Sequence, residues 1–157
     1  MKDELNKAKA YAYRLLNYRS RSEKELRGRL KDKGYNAQVI DKLAEELKDE
    51  DLIDDKKFAR LWAKMRSQGN ARGLSVIKFE LLSKGVDKDI VEETLSEARE
   101  AFSEEEIVRQ LLNRRMRAVA GLDRQKARQR IYGYLKRRGF STQVVLKVLD
   151  ETYRDSR

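Results

Sequence analysis

The sequence predicts an all-α protein of three tandem three-helix modules in an elongated, curved arrangement, and three observations lead there. Proline is absent from the 157 residues, so no position forbids helix. Apolar residues recur at helical spacing, and no segment alternates as a half-buried strand does. One glycine-centred pattern is written three times, as LKDKGYNAQVI (30–40), LLSKGVDKDIV (81–91) and LKRRGFSTQVV (135–145). A repeat of about 50 residues marks an array of similar modules, each too small for an ample core of its own. The expected boundaries are 1–53, 54–102 and 103–157.

In the first module, Leu5, Ala8, Ala12, Leu15 and Leu16 form the stripe of an opening helix. The loop YRSRS (18–22) follows, and Ser22 with Glu25 makes a capping box for the second helix. Leu26 and Leu30 are its inner face, and Val39, Ile40 and Ala44 belong to the third helix. In the second module Asp54 caps a helix with the stripe Phe58, Leu61, Trp62 and Met65. The loop RSQGNARGLS (66–75) leads to Ile77 and Leu81, and then to Ile90, Val91 and Leu95. In the third module Ser103 and Glu106 open a helix with Ile107, Val108, Leu111 and Leu112. The segment AVAGLD (118–123) is the next loop, before Ile131, Leu135, Val144, Val145 and Leu149.

The three glycines explain the repeated turn. Gly34, Gly85 and Gly139 stand where a helix ends in left-handed backbone. A cation precedes each, on the side of the helix that favours positive charge. Tyr35, Val86 and Phe140 follow, each placed to pack on the leucine of the helix just ended and on Ile40, Val91 or Val145 of the next. Asn36, Asp87 and Ser141 then serve as N-caps.

Composition removes much chemistry. Without cysteine or histidine there is no disulfide, no thiolate zinc site and no neutral-pH general base. No phosphate-binding or dinucleotide glycine loop occurs. The acidic run KDEDLIDDKK (48–57) lacks the glycine and ligand spacing of a calcium loop, and reads as a solvated helix end. No catalytic residue, cofactor site or metal site is expected. The N-terminal segment lacks the apolar stretch of a signal peptide, and no membrane span is present, so the expected location is the cytoplasm. A monomer is expected.

Charge carries the functional signal. The chain holds 37 Lys and Arg against 27 Asp and Glu, a net charge of +10. Residues 1–54 hold 13 basic and 12 acidic side chains, residues 55–103 hold 10 and 8, and residues 104–157 hold 14 and 7. The excess therefore sits in the third module. Between Arg109 and Arg138 stand nine arginines and two lysines, with Asp123 as the only acid. These are poorly explained as ion pairs within one helix. Arginine suits bidentate contact with phosphate or carboxylate. The expected partner-contact residues are Arg114, Arg115, Arg117, Arg128, Arg130, Arg137 and Arg138. Arg66 and Arg72 flank the second module's loop, and Arg19, Arg21, Arg27 and Arg29 surround the first module's loop. The third helices of the first two modules, NAQVIDKLAEELKDE and DKDIVEETLSEARE, are acidic, which disfavours reading a DNA major groove. Trp62 and Tyr18 could stack on bases, but Trp62 lies on an apolar stripe and is assigned to the core.

These residues resemble the RecX family, small bacterial regulators of the RecA recombinase, over nearly the whole chain. RSRSEKELRGRLKDKGY (19–35) is similar to the family's R-S-x-x-E-L-x-x-R-L-x-x-K-G signature, on Arg21, Ser22, Glu25, Leu26, Arg29, Leu30, Lys33 and Gly34. DLIDDKKFARLWAKMR (51–66) is similar to L-[IL]-D-D-x-x-F-A-x-x-W, although Asp51 replaces the glycine often found before it. ARGLSVIKFELLSKGV (71–86) resembles a third block, with Arg72 and Glu80 in place. The third module matches loosely. The resemblance implies a non-enzymatic protein that binds the RecA–DNA filament and limits its extension, ATP hydrolysis, strand exchange and coprotease activity. It also implies participation in DNA repair, homologous recombination and the SOS response. The residues alone leave two other readings: direct non-specific binding of single- or double-stranded DNA through phosphates, and a helical adaptor for another acidic protein.

Overall fold

A computed structural model describes residues 1–155. Among the described residues there are nine α-helices, one 3₁₀ turn and no strand. The helices are α1 (Lys2–Tyr18), α2 (Glu23–Asp32), α3 (Ala37–Asp49), α4 (Asp55–Arg66), α5 (Leu74–Ser83), α6 (Lys88–Ala101), α7 (Glu104–Met116), α8 (Arg124–Arg137) and α9 (Thr142–Arg154). The 3₁₀ turn, Arg117–Val119, occupies the start of the third module's expected loop.

Two compact units emerge, Met1–Leu61 with Leu81–Val91, and Trp62–Glu80 with the chain from Glu92 onward. The first has a core of Leu26, Leu30, Leu43 and Leu47 against Ala8 and Ala12 of α1, both fully buried. Alanine at those two positions removes side-chain bulk, so α1 can lie close to its neighbours. The core of the second unit centres on Leu112, Ile131, Leu135, Phe140, Val145 and Leu149.

The glycine turns form as their spacing implies. Gly34, Gly85 and Gly139 have φ of 96°, 76° and 90°. The N–H of Tyr35, Val86 and Phe140 donates to the carbonyl of Leu30, Leu81 and Leu135 at 3.2, 3.1 and 3.4 Å. Each glycine N–H reaches the carbonyl three residues back at 2.9–3.0 Å, which completes the Schellman pattern. Asn36 and Ser141 cap the following helices by accepting from Val39 and Val144 N–H. Ser22 and Glu25 form the complete capping box. At Ser103 the hydroxyl accepts from the Glu106 N–H.

Two places, the α4 stripe and Asp51, depart from the simple pattern. The stripe on α4 is not its buried face throughout. Phe58, Ala59 and Ala63 are buried, while Leu61 and Met65 are 46 and 51 % exposed. Small alanines carry the close packing, and hydrophobicity alone points to the larger neighbours instead. Asp51 has φ of 56°, the one positive value outside glycine among the described residues. Its N–H donates to the Lys48 carbonyl, so α3 closes as the glycine-ended helices do. The position therefore favours glycine, and aspartate tolerates the conformation better than most residues.

One docking device appears in each unit. In the first, the Ser22 hydroxyl donates to the Lys84 carbonyl at 2.6 Å, and the Lys84 ammonium lies 2.9 Å from Glu25. In the second, the Gly73 N–H donates to the Arg138 carbonyl at 2.6 Å, and the Ser75 hydroxyl to the Gly139 carbonyl at 2.7 Å. In both, the start of one second helix holds the carbonyls at the end of the next second helix.

Candidate anion-binding groove

The basic segment of the third module folds into α7, the 3₁₀ turn and α8. Helical geometry decides which cations share a face. Lys126, Arg130 and Arg137 recur at intervals that keep them on one side of α8, over about 16 Å at 1.5 Å per residue. With Arg115 from α7 they line a groove of about 620 Å³. Gln129, Gly133 and Tyr134 complete its α8 side, and no carboxylate lines it. Lys126 has Asp123 3.8 Å away, in an exposed pair that contributes little.

Tyr134 organises the inner end. The Arg115 guanidinium lies 4.5 Å from its ring centroid and that of Arg138 lies 4.9 Å away. Arg138 is 6 % exposed and is held by the carbonyl and side-chain oxygen of Asn70. Its Nε has no hydrogen-bond partner. Burial pushes its pKa down, and Arg72, Arg66 and Arg115 add like-charge repulsion. Arginine remains cationic through such shifts, so Arg138 adds a buried positive charge behind Tyr134, just outside the groove lining.

The structure sorts the remaining expected contact residues. Arg115, Arg130 and Arg137 reach the groove, and Arg117 is exposed. Arg114 donates to the Gly69 carbonyl at 3.2 Å, and Arg128 pairs with Asp150 at 2.6 Å. Arg109 pairs with Glu105 on its own helix and with Glu151 on α9. Some of the third module's excess is thus neutralised by acids distant in sequence. Arg66 holds Glu80, which also accepts from the Trp62 indole at 2.8 Å. Trp62 is half-buried with a polar anchor, a different setting from the wholly apolar stripe. Arg72 is half-buried, and its Nε too lacks a partner.

A second hollow of about 290 Å³ lies in the first unit, lined by Arg19, Arg21, Lys24, Arg29 and Lys84 together with Glu25, Gly28 and Asp32. Here acids intervene. Burial would raise the Glu25 carboxyl, but hydrogen bonds from Arg19, Lys84 and the Ser22 N–H outweigh it and hold the pKa down at about 2. Arg27 is engaged by Glu23 and Asp41. Arg21 is 7 % exposed and reaches the Leu15 carbonyl.

Sequence reasoning did not assign contact roles to Lys126, Gln129, Gly133 and Tyr134 in the groove, nor to Lys24 and Lys84 in the hollow. The spacing along α8 could have identified the first group, whereas Lys84 is brought in by tertiary folding. Among the described residues no cluster of His, Cys, Asp or Glu is arranged to hold a metal ion, and no helix is long and apolar enough to cross a membrane.

Comparison with known proteins adds the family context. Models of the first, second and third three-helix domains of RecX match residues 8–47, 54–95 and 103–149. The regulatory protein RecX of Amycolatopsis mediterranei is 31% identical over 153 residues, covering 98% of this chain and 87% of that one. The regulatory protein RecX of Prosthecochloris aestuarii is 35% identical over 149 residues, covering 94% and 91%. The crystal structure of RecX from Lactobacillus salivarius superposes with a TM-score of 0.81 at 24% identity, covering 96% of this chain and 97% of that one.

Proposed function

The chain belongs to the RecX family of regulatory proteins, and from that premise we propose that it binds the RecA–DNA filament and restrains it. It acts in the cytoplasm as a monomer, by binding and without catalysis. Occupying the filament limits its extension and with it ATP hydrolysis, strand exchange and coprotease activity. The observation that carries this reading is the α8 groove, where Arg115, Lys126, Arg130 and Arg137 converge with no lining carboxylate. Such a concentration of cations draws an anionic partner from a distance and orients it. The Gly139 turn closes α8, and the bonds from Gly73 and Ser75 to the Arg138 and Gly139 carbonyls hold its end.

The test is DNA-dependent ATP hydrolysis by RecA with saturating DNA, comparing the wild-type protein with Arg130→Glu/Arg137→Glu. Inhibition that tracks recombinase concentration and is lost in the variant supports the proposal. Inhibition relieved by adding DNA indicates competition for the strand instead, which is the direct DNA-binding reading.

A further inference from the structure

The groove and the hollow occupy the same place in the repeat. Lys126, Gln129, Arg130, Gly133, Tyr134 and Arg137 line the groove. Counted back from Gly139, they fall at the same six positions as Arg21, Lys24, Glu25, Gly28, Arg29 and Asp32 counted back from Gly34. Each unit therefore carries its own copy of one concave face, built on a second helix and floored by a glycine.

Those two glycines have no structural reason to be glycine. Both lie inside helices, where glycine is the least favourable residue after proline. Neither has positive φ. A Cβ on Gly28 would meet nothing within 4 Å, and one on Gly133 would meet only the Arg137 guanidinium at 3.1 Å, the movable end of a long side chain. The second module places Phe79 at the equivalent position, 72 % exposed, so the helix accepts even a large side chain there. Residues that weaken a helix without serving its packing mark a surface that something approaches closely.

We propose that the faces floored by Gly28 and Gly133 are two equivalent cradles for a phosphodiester backbone. This rests on the reading above in taking the α8 groove as a contact surface, and adds its ligand and a second copy of the site. The lining decides for nucleic acid over protein. Protein–protein interface cores enrich aromatics and arginine within an apolar patch and deplete lysine and acids, whereas nucleic-acid contacts are polar and strongly cationic throughout. The α2 hollow contains no apolar side chain, and the only apolar side chains lining the groove are Ala118, Val119 and Tyr134. Arg115 and Arg138 lie 4.5 and 4.9 Å from the Tyr134 ring centroid, so the ring seats cations for phosphate contact in place of base stacking. The α2 cradle is the weaker, with Glu25 and Asp32 where α8 has Arg130 and Arg137.

The test uses the full chain and a fluorescein-labelled oligothymidylate of about 30 nucleotides, read by anisotropy at low salt. Gly133→Gln should weaken binding about tenfold and Gly28→Gln about threefold, by filling the floor without changing charge. Neither should lower the melting temperature, and Ala10→Gln, on the exposed side of α1, should change nothing. Affinities of both glycine variants within about twofold of wild type would overturn the proposal, as would a wild-type protein that does not bind the strand. The same variants go into the RecA assay. Inhibition lost in Gly133→Gln with strand binding intact would assign the cradle to an acidic protein surface and overturn the phosphodiester reading. Absence of inhibition by the wild type removes the regulatory reading, and the anisotropy result then decides the cradles alone.

Discussion

Replacing Gly73 by alanine tests how closely the start of α5 meets the end of α8. The added methyl carbon would lie 2.1 Å from the Gly139 carbonyl carbon and oxygen and 2.4 Å from the Phe140 nitrogen. Non-bonded carbons settle about 3.5–4.0 Å apart, so the two backbones must part by more than ~1 Å. All three obstructing atoms are backbone, and none can swing away as a side chain would. The 2.6 Å bond from Gly73 N–H to the Arg138 carbonyl and the 2.7 Å bond from Ser75 to Gly139 would stretch or break. Overpacking costs about 1–3 kcal/mol and each of the two lost hydrogen bonds about 0.5–1.5, for a sum of about 2–6 kcal/mol. In a chain of this size that lowers the melting temperature by about 4–24 °C. Scanning calorimetry reads it, with Gly121→Ala as the control because a Cβ there meets nothing within 4 Å. A Gly73→Ala protein melting within about 2 °C of wild type would refute the close-approach reasoning.

Three further outcomes follow from other sites. Asp51→Gly relieves a left-handed residue at the end of α3 and should stabilise the protein by about 0.5–1 kcal/mol in urea denaturation; a loss of stability would show that the aspartate side chain matters more than its backbone. The Glu25 carboxyl titrates at about 2, below its ordinary 4.5. Its stabilising effect is therefore complete above pH ~4.5 and is shed as pH falls toward ~2. The stability gap between wild type and Glu25→Gln should narrow over that window, and a pH-independent gap would contradict the assigned ion pairs. Ser22→Ala removes a helix cap and a hydrogen bond to the Lys84 carbonyl, and should cost about 2–3 kcal/mol; calorimetry showing under about 0.5 kcal/mol would mean water replaces both contacts.

The turns were legible in the sequence because their determinants are local. Gly34, Gly85 and Gly139 need left-handed backbone, and Asn36 and Ser141 cap within three residues, so spacing alone specifies the geometry. Inner faces were legible where leucine, isoleucine and valine carried them, and misread on α4, where Ala59 and Ala63 pack closely while Leu61 and Met65 face outward. The groove was half legible. Arginine density pointed to the third module, but only folding shows that Asp150 and Glu151 neutralise Arg128 and Arg109, that Asn70 holds Arg138, and that Arg115, Arg130 and Arg137 share one concavity. The signature residues Ser22 and Glu25 bind each other and Lys84, and Trp62 with Arg66 binds Glu80. Motif strength in this chain therefore tracks scaffold, while the groove lies in the module whose family signature is hardest to see in the residues, although the model of the third RecX domain matches it over 103–149.

The most direct measurement of the central claim is binding of this protein to preformed RecA–DNA filaments across a salt series. Wild type should bind with an affinity that falls steeply with salt, and Arg130→Glu/Arg137→Glu should lose about tenfold or more at low salt and show a shallower slope, with circular dichroism unchanged. Equal affinity and equal slope for the two proteins would contradict the account and move the contact away from α8.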